Sequence, residues 1–519
     1  MLGCGSIAHR GVHHGVFIAA AVVTGLWGGV CEVLAGGDDY CLRWFAEFFW
    51  RTAVKRHVVK LWRVAGVAAV VGLLLMSVGS GGASGADITA GPMVGHVTDK
   101  SARIWLQMSV PEEISVECFD LATDAPVCAL STDPTGPSPF TGDIPLSNLD
   151  PNKAYRIELK LGGNPVAVNG TQCVIRTDPP VGDEAVTTVA FGSGVDVHGA
   201  RATIFKAVDD VRPRAFLFLG NTAYLPHPFP SFDQGGMRNG RQAFRLIADT
   251  YSEVRKLPEL QKLFRTVPCY AAWDDGDFGG ANSDRTFPFA GEAWSAFQKF
   301  WPNPDWGTAN DQGCYYTFTL GDADFFVLDS RSHRDPEGPA GKMQGDRTML
   351  GAAQLEWVKQ GLMKSTANFK VIACGSQLLA NDVAANGNSA GAGAPSDTWA
   401  AFQPEQGDFL KWLGEKRISG VIFVTGTNRG YGELTGIGAK DSPTHYPLLE
   451  LTSSCLVGKG VGDAGADAQR VAGPVVENNF GTIDFVGQRD HRMVTLRLRD
   501  SEGAVRVEQR VGVGDLQVP

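Results

Sequence analysis

Apolar side chains occupy every second position at Ala102, Ile104, Leu106 and Met108, and again at Tyr155, Ile157, Leu159 and Leu161. A period of two is the pattern of a half-buried strand. Between the runs stands Leu149-Asp150-Pro151, with Tyr155 four residues beyond the proline. That spacing lets a tyrosine hydroxyl reach back to the backbone it has just left, the arrangement called a tyrosine corner. Short strands broken by Pro, Gly and Asp predict a small all-β sandwich over 87–180. Thr177-Asp178-Pro179-Pro180 reads as the linker that ends it.

From Thr187 the pattern changes. Short apolar runs, Val189-Ala190-Phe191, Ala215 to Leu219, Asp324 to Leu328, Val371 to Cys374 and Val421 to Val424, read as strands buried on both faces. Helical spacing lies between them at 200–211, 242–256, 290–300, 352–363 and 406–416. Strands alternating with helices predict an α/β layered domain over 185–519. In such sheets ligands bind at loops beyond the strand C-termini. Five loops stand there: FGSG (191–194), LGNTAY (219–224), WDDGDFG (273–279), LDSRSHR (328–334) and TGTNRGYGEL (425–434). The Gly-, Ala- and Asn-rich stretch 384–395 reads as a flexible loop near the site entrance.

Composition narrows the function class. The net charge is −10, with an isoelectric point near 5.5. That excludes nucleic acid as a partner, because phosphate backbones call for basic surface. The ten cysteines form no CxxC pair, which argues against zinc ribbons and thioredoxin-like chemistry. In an exported protein Cys118 and Cys128 are the candidates for one disulfide; the alternative is buried free thiols.

The N-terminus suggests export. A basic stretch with Lys55, Arg56, Lys60 and Arg63 precedes an apolar run from Val64 to Met76, then small residues ending at Ala86. The run is short for a membrane span, which needs ~20 residues. A second apolar stretch, Val16 to Leu34, lies upstream. Two expectations follow for residues 1–86. Either translation starts near Val54 and a signal peptide leads to the periplasm or cell surface, or segments 16–34 and 64–80 anchor the chain. Membrane contact is expected only through this segment. The sequence sets no oligomeric state.

The five loops, in their order, resemble the alkaline phosphatase D (PhoD) family of calcineurin-like metallophosphoesterases. GPMVGHVTDKSARIW (91–105) is similar to that family's N-terminal fibronectin/Ig-like sandwich. SDRTFPFAGEAWSAFQKFW (283–301), TMLGAAQLEWVKQGL (348–362) and NNFGTIDF (478–485) match as well. The resemblance implies a four-layer sandwich of two mixed sheets flanked by helices. It also implies phosphomonoester or phosphodiester hydrolysis on iron, calcium or other divalent metals, which activate water and neutralise the phosphate.

The family pattern reads FGSC, LGDxxY, WDDH and GDxH where this chain departs from it. Gly194 stands at a cysteine ligand, Asn221 at the aspartate that bridges two metals, and Gly276 at the histidine beside the substrate. Thr427 replaces an aspartate and Arg429 a histidine ligand. Three negative ligand charges are lost and a positive one is gained, which weakens divalent-metal binding. The expectation is a pseudoenzyme that still takes a phosphate-containing small molecule, with no metal or only a partial site.

Asp275, Arg429 and Asn221 are the catalytic candidates, and Tyr224, Asp275 and Asn221 the residual metal ligands. Asp275 has a second reading, an ion pair with Arg429. Arg331 and Arg334 follow a strand end, where arginines clamp phosphate, and Asn282 completes the substrate-binding set; the alternative for the arginines is structural salt bridging. Asp196 and His198 form an Asp-x-His pair after the first strand. Trp273 and Trp399 stand beside site loops as core residues or pocket walls. The competing functions are an active hydrolase on a reduced metal site and an extracytoplasmic binding protein.

Overall fold

The structure, a computed structural model, describes residues 85–134, 138–166, 170–196, 203–225, 229, 239–336, 347–380, 397–427, 429–460 and 467–519. The expectations for residues 1–84, for His198 and for the loop 384–395 lie outside the described residues. Ala86–Pro519 forms one compact unit. Among the described residues no helix is long and apolar enough to cross a membrane.

The small sandwich pairs β1 (Ile88–Val97), β2 (Ala102–Met108) and β5 (Phe140–Leu146) in one sheet. The other sheet holds β3 (Ile114–Asp120), β4 (Pro126–Thr132), β6 (Ala154–Leu161), β7 (Asn164–Pro165) and β8 (Val174–Arg176). Ile104, Leu106, Val116, Ile157 and Leu159 fill the core between them. Tyr155 closes the corner: its hydroxyl accepts from Asp150 N at 2.7 Å. Cys118 and Cys128 sit directly opposite on β3 and β4 as free thiols, not as a disulfide. The linker residues Thr177 and Asp178 are buried, and Arg214 holds the Thr177 carbonyl at 2.7 Å. On the other flank Trp105 donates its indole N–H to the Lys299 carbonyl at 2.6 Å.

The rest is built on two mixed seven-stranded sheets. The first contains β9 (Thr187–Val195), β10 (Ala215–Leu219), β11 (Cys269–Ala272), β20 (Ser454–Val457), β22 (Asn479–Val486), β23 (Met493–Asp500) and β24 (Val505–Gly512). The second contains β14 (Tyr316–Leu320), β15 (Ala323–Leu328), β16 (Phe369–Cys374), β17 (Val421–Thr425), β18 (Gly432–Ile437), β19 (Leu448–Thr452) and β21 (Arg470–Val475). A two-stranded pair, β12 (Gly307–Thr308) and β13 (Asp311–Gln312), lies outside both. β9, β10 and β11 are parallel, as are β15, β16, β17 and β19.

Alternation along single strands sets the layers. On β15, Phe325 stacks on Phe318 and meets Phe485 of the first sheet, whereas Phe326 meets Trp357 of α6 (Ala352–Lys364). On β10, Leu217 faces the second sheet while Phe216 and Phe218 face helices. Those helices are α1 (Ile204–Asp210), α2 (Gly240–Arg255), α3 (Gln261–Thr266) and α5 (Ala290–Phe300). A one-turn helix, α4 (Asp275–Phe278), follows β11, and α7 (Gln403–Glu415) packs beside α6's layer through Phe409 and Leu413. The molecule is thus a mixed α/β protein in which both sheets turn the C-terminal ends of their parallel strands toward one face.

Candidate functional site

Short hydrogen bonds stitch the strand-end loops together. Gly194 N donates to Gly220 O at 3.1 Å and Val195 N to Asn221 O at 2.8 Å, joining the loops after β9 and β10. The Ser193 hydroxyl accepts from Thr427 N at 3.2 Å and donates to Ser453 O at 3.0 Å, tying the two sheets together. Thr427 is buried, and its hydroxyl accepts from Arg429 N at 3.3 Å. Arg429 itself is half-buried.

Asn221 is fully buried, in the left-handed region at φ +54°, which asparagine tolerates better than most residues. Its Nδ2 donates to Asp274 at 3.2 Å, and its Oδ1 accepts from Gly276 N at 2.8 Å. Beneath it Asp277 accepts from Thr222 N, Thr222 Oγ1, Ala223 N, Tyr251 Oη and Asp274 N, all at 2.9–3.1 Å, and also from Asn221 N. Burial raises the Asp277 carboxyl above its ordinary value, and these donors work against that shift. The turn LGNTAY is therefore held by a carboxylate that sequence reading did not single out; its signal is the position three residues into the helix that Asp274 caps.

Asp274 and Asp397 share one guanidinium. Arg331 Nε donates to Asp274 at 2.9 Å, its Nη2 reaches both carboxylates, and its Nη1 donates to Ser283 O at 3.1 Å. Arg334 pairs with Asp397 at 2.7 Å and lies over the Phe402 ring, 4.8 Å from its centroid. Asp329 orients the loop, accepting from Arg331 N at 2.9 Å and from the Trp273 indole at 2.6 Å. Both arginine side chains are 0% exposed. Their geometry is that of the salt-bridging alternative: the aspartates around the strand end draw them inward. Burial acts most strongly on both carboxylates. At Asp397 the two arginines outweigh it and hold the carboxyl low; at Asp274 burial prevails and pushes it up to about 7.

Asp275 is buried and accepts from Gly276 N at 2.8 Å and Asn282 N at 2.9 Å. Asn282 is exposed at the rim, in the left-handed region. Trp273 and Trp399 are fully buried core residues, not pocket walls; Trp399 donates to Glu405 at 2.7 Å.

Gly194, at φ +77°, is closely packed by its neighbours. A Cβ there would stand 3.1 Å from the Tyr224 hydroxyl, 3.4 Å from Ser454 Oγ and 3.4 Å from Cys455 Cα. Tyr224 is 43% exposed as a residue, although its hydroxyl end turns inward toward Gly194. Burial, then the Cys455 thiol, then the carboxylates of Asp275, Asp277 and Asp196 push its phenol well above the ordinary value. Burial and Asp196 push the Cys455 thiol up to about 11. Neither Ser454 nor Cys455 was singled out in the sequence, where SSC has no recognisable ligand spacing.

These residues do not fit the family's bridged metal cluster. Asn221's amide is committed on both ends to hydrogen bonds inside the protein. A Cβ on Gly276 would lie 2.5 Å from Asn221 Oδ1, so a histidine at 276 has no room. Asp274, Asp275 and Asp397 do bring ligand oxygens within 4.8 Å of one another. Arg331 already supplies the cation between two of them.

Comparison with known proteins places the chain. A family model described as PhoD-like phosphatase matches residues 189–502. Alkaline phosphatase D of Bacillus subtilis (strain 168) is 24% identical over 311 residues, 54% of this chain and 52% of that protein. The chain thus spans about half the length of that curated relative. The solved structure of PhoD superposes with a TM-score of 0.66 at 18% identity, covering 82% of this chain and 89% of the other. Purple acid phosphatase PPD1 from yellow lupin (Lupinus luteus) seeds gives 0.58 at 12% identity, covering 81% and 74%. These likenesses establish the fold, and the family match, which spans more than half of the sequence, establishes that the chain belongs to the PhoD-like phosphatases.

Proposed function

We propose that this PhoD-like chain keeps the phosphoesterase scaffold, a four-layer metallophosphoesterase sandwich, as a binding protein for phosphate-bearing small molecules. It does not assemble the family's bridged metal cluster and so hydrolyses phosphoesters poorly or not at all. The observation that carries this reading is Asn221. At the bridging position stands a neutral amide whose oxygen accepts from Gly276 N and whose nitrogen donates to Asp274. A bridging ligand needs free lone pairs and negative charge, and this side chain offers neither. Gly194, Gly276, Thr427 and Arg429 support it from four other positions. Arg429, half-buried beside Thr427, supplies a fixed positive charge for an anion, with Asn282 at the rim.

The test is elemental analysis of the purified mature domain, with p-nitrophenyl phosphate and bis-p-nitrophenyl phosphate as substrates. The expected result is no bridged pair of metals and no turnover above blank, with phosphate raising the melting temperature and R429A removing that shift. Two metal equivalents with turnover abolished by D275A would establish instead the active-hydrolase reading. Export through the segment before Asp87 belongs to the same proposal. N-terminal sequencing of the mature protein tests it, and a mature start at Met1 would end it.

A further inference from the structure

The β3–β4 edge of the sandwich carries an inference of its own. Cys118 and Cys128 are direct cross-strand partners, and the register is regular from Ile114 opposite Thr132 down to this pair. Directly opposite residues of an antiparallel pair hold their Cα atoms about 4.5–5.5 Å apart. A disulfide spans Cα atoms about 4.4–6.8 Å apart, so the pair stands within bridging geometry. Both side chains turn to the same side. Cys118 is fully buried in the sandwich core, and Cys128 packs against that core from β4. Its neighbours Val127 and Ala129 are exposed, and Cys128 itself is half-buried, within reach of a small molecule. β4 is the outermost strand of its sheet and pairs with β3 alone. The two sulfurs are hydrogen-bonded to each other. That bond holds the Cys128 thiol below its ordinary value, and the same bond, with burial, holds the Cys118 thiol well above it. The thiolate therefore forms on the more accessible sulfur. Cys173, the third thiol of the sandwich core, feels burial and Arg265 but neither of the other two.

A reachable thiolate beside a buried thiol that can attack in turn is the arrangement of a dithiol redox centre. We propose that Cys118 and Cys128 form a dithiol–disulfide site, in which Cys128 attacks a small-molecule disulfide of the oxidised-glutathione class and Cys118 resolves the adduct. The Cys128 thiolate attacks one sulfur of the small disulfide. The sulfur–sulfur bond of that molecule breaks, and its first half leaves as a thiol carrying the Cys128 proton. Cys118 then attacks the Cys128 sulfur, and the second half leaves as a thiol carrying the Cys118 proton. The two cysteines are oxidised by two electrons and the small disulfide is reduced by two. The new bond pins the edge strand β4 to β3. The proposal stands whether or not the large domain hydrolyses phosphoesters.

The experiment takes the reduced full chain through a series of oxidised-to-reduced glutathione ratios, quenches with a thiol-alkylating reagent and maps the peptides by mass spectrometry. Both thiols should disappear at the same ratio, with a peptide pair joined through Cys118 and Cys128. C128S should form no such pair and leave Cys118 unmodified, because that thiol is buried. C118A should stop at a glutathione adduct on Cys128, since the resolving thiol is gone. On oxidation of the parent chain, hydrogen exchange of the β4 amides should slow by about tenfold or more, because the closed loop restricts the opened strand. Where C118A does not fold, the parent and C128S decide, since Cys128 is half-buried and its replacement leaves the core filled. A pair that stays reduced at the most oxidising ratio, or either cysteine joined instead to another, overturns the proposal. So does glutathione on Cys118 in C128S, a folded C118A without the adduct, or unchanged exchange in β4.

Discussion

Two sides of the same strand-end face behave in opposite ways. On one side, Asp274, Asp397, Arg331 and Arg334 form a dry network in which each carboxylate meets a guanidinium. On the other, Tyr224, Ser454 and Cys455 pack around Gly194, and the buried Ser454 hydroxyl has no hydrogen-bond partner. Charge is abundant on the first side but already neutralised, so it serves the fold. Charge is sparse on the second, where a buried hydroxyl, Ser454 Oγ, is left without a hydrogen bond.

The sharpest way to break this contrast is to remove the shared cation. Arg331→Met leaves Asp274 without its partner in a fully buried setting, and losing one member of a buried pair costs about 3–5 kcal/mol. Urea unfolding should show that loss, and a change under about 1 kcal/mol would mean the network is not structural. Next comes Asp277→Ala, which orphans the backbone N–H groups of Asn221, Thr222 and Ala223. Unsatisfied buried donors cost about 1–3 kcal/mol each, partly relieved by water, so a loss on the order of 3 kcal/mol is expected. Hydrogen exchange should locate it in the turn after β10.

Filling single glycine positions tests the same contrast more gently. Gly276→His drives a Cβ to 2.5 Å from Asn221 Oδ1, on the packed side. Overpacking of this kind costs about 1–3 kcal/mol, and no phosphatase activity should appear. Gly194→Ala meets nothing closer than the Tyr224 hydroxyl at 3.1 Å, the end of a side chain that can give, although its φ of +77° adds strain. Melting temperatures should rank G276H below G194A; the reverse order would show that the two sides are not packed as described.

The framework was legible because it rests on local periodicity. The five large-domain strands and five helices read from apolar spacing all occur, and Tyr155 closes the corner that its distance from Pro151 predicts. The site was legible only as far as its loops. Arg331 and Arg334 looked like anion clamps because a strand end is where such clamps sit. Their partner Asp397 lies some 60 residues downstream, after a helix and a strand, and no local pattern announces it. Cys455 was hidden for a similar reason: β20 pairs with β9 from far along the chain, so its backbone comes beside Gly194 only in the fold. Asp275 and Gly276 were visible, but that Asn221 fills the space a histidine would take is a fact of packing.

The smallest effect is a pH slope, and it isolates burial without any site chemistry. Asp178, at the junction with the sandwich, is buried with Arg214 no closer than 3.6 Å. Burial pushes its carboxyl up to about 7, with Arg214 opposing. An unfolded aspartate titrates near 3.9. Between those values the folded state holds the proton and the unfolded state does not, so stability must fall as pH rises from about 4 to about 7. Entering water offsets part of this, leaving a contribution on the order of 1 kcal/mol. Asp178→Asn cannot ionise, so it should flatten that part of the stability–pH curve and match or exceed the parent at pH 8. A carboxylate engaged like Asp397, held low by two arginines, should do the opposite when neutralised and lower stability at the same pH. If Asp178→Asn also destabilises at pH 8, then Arg214 already satisfies this carboxylate. Burial would then no longer separate an inert junction from the neutralised network at the strand ends.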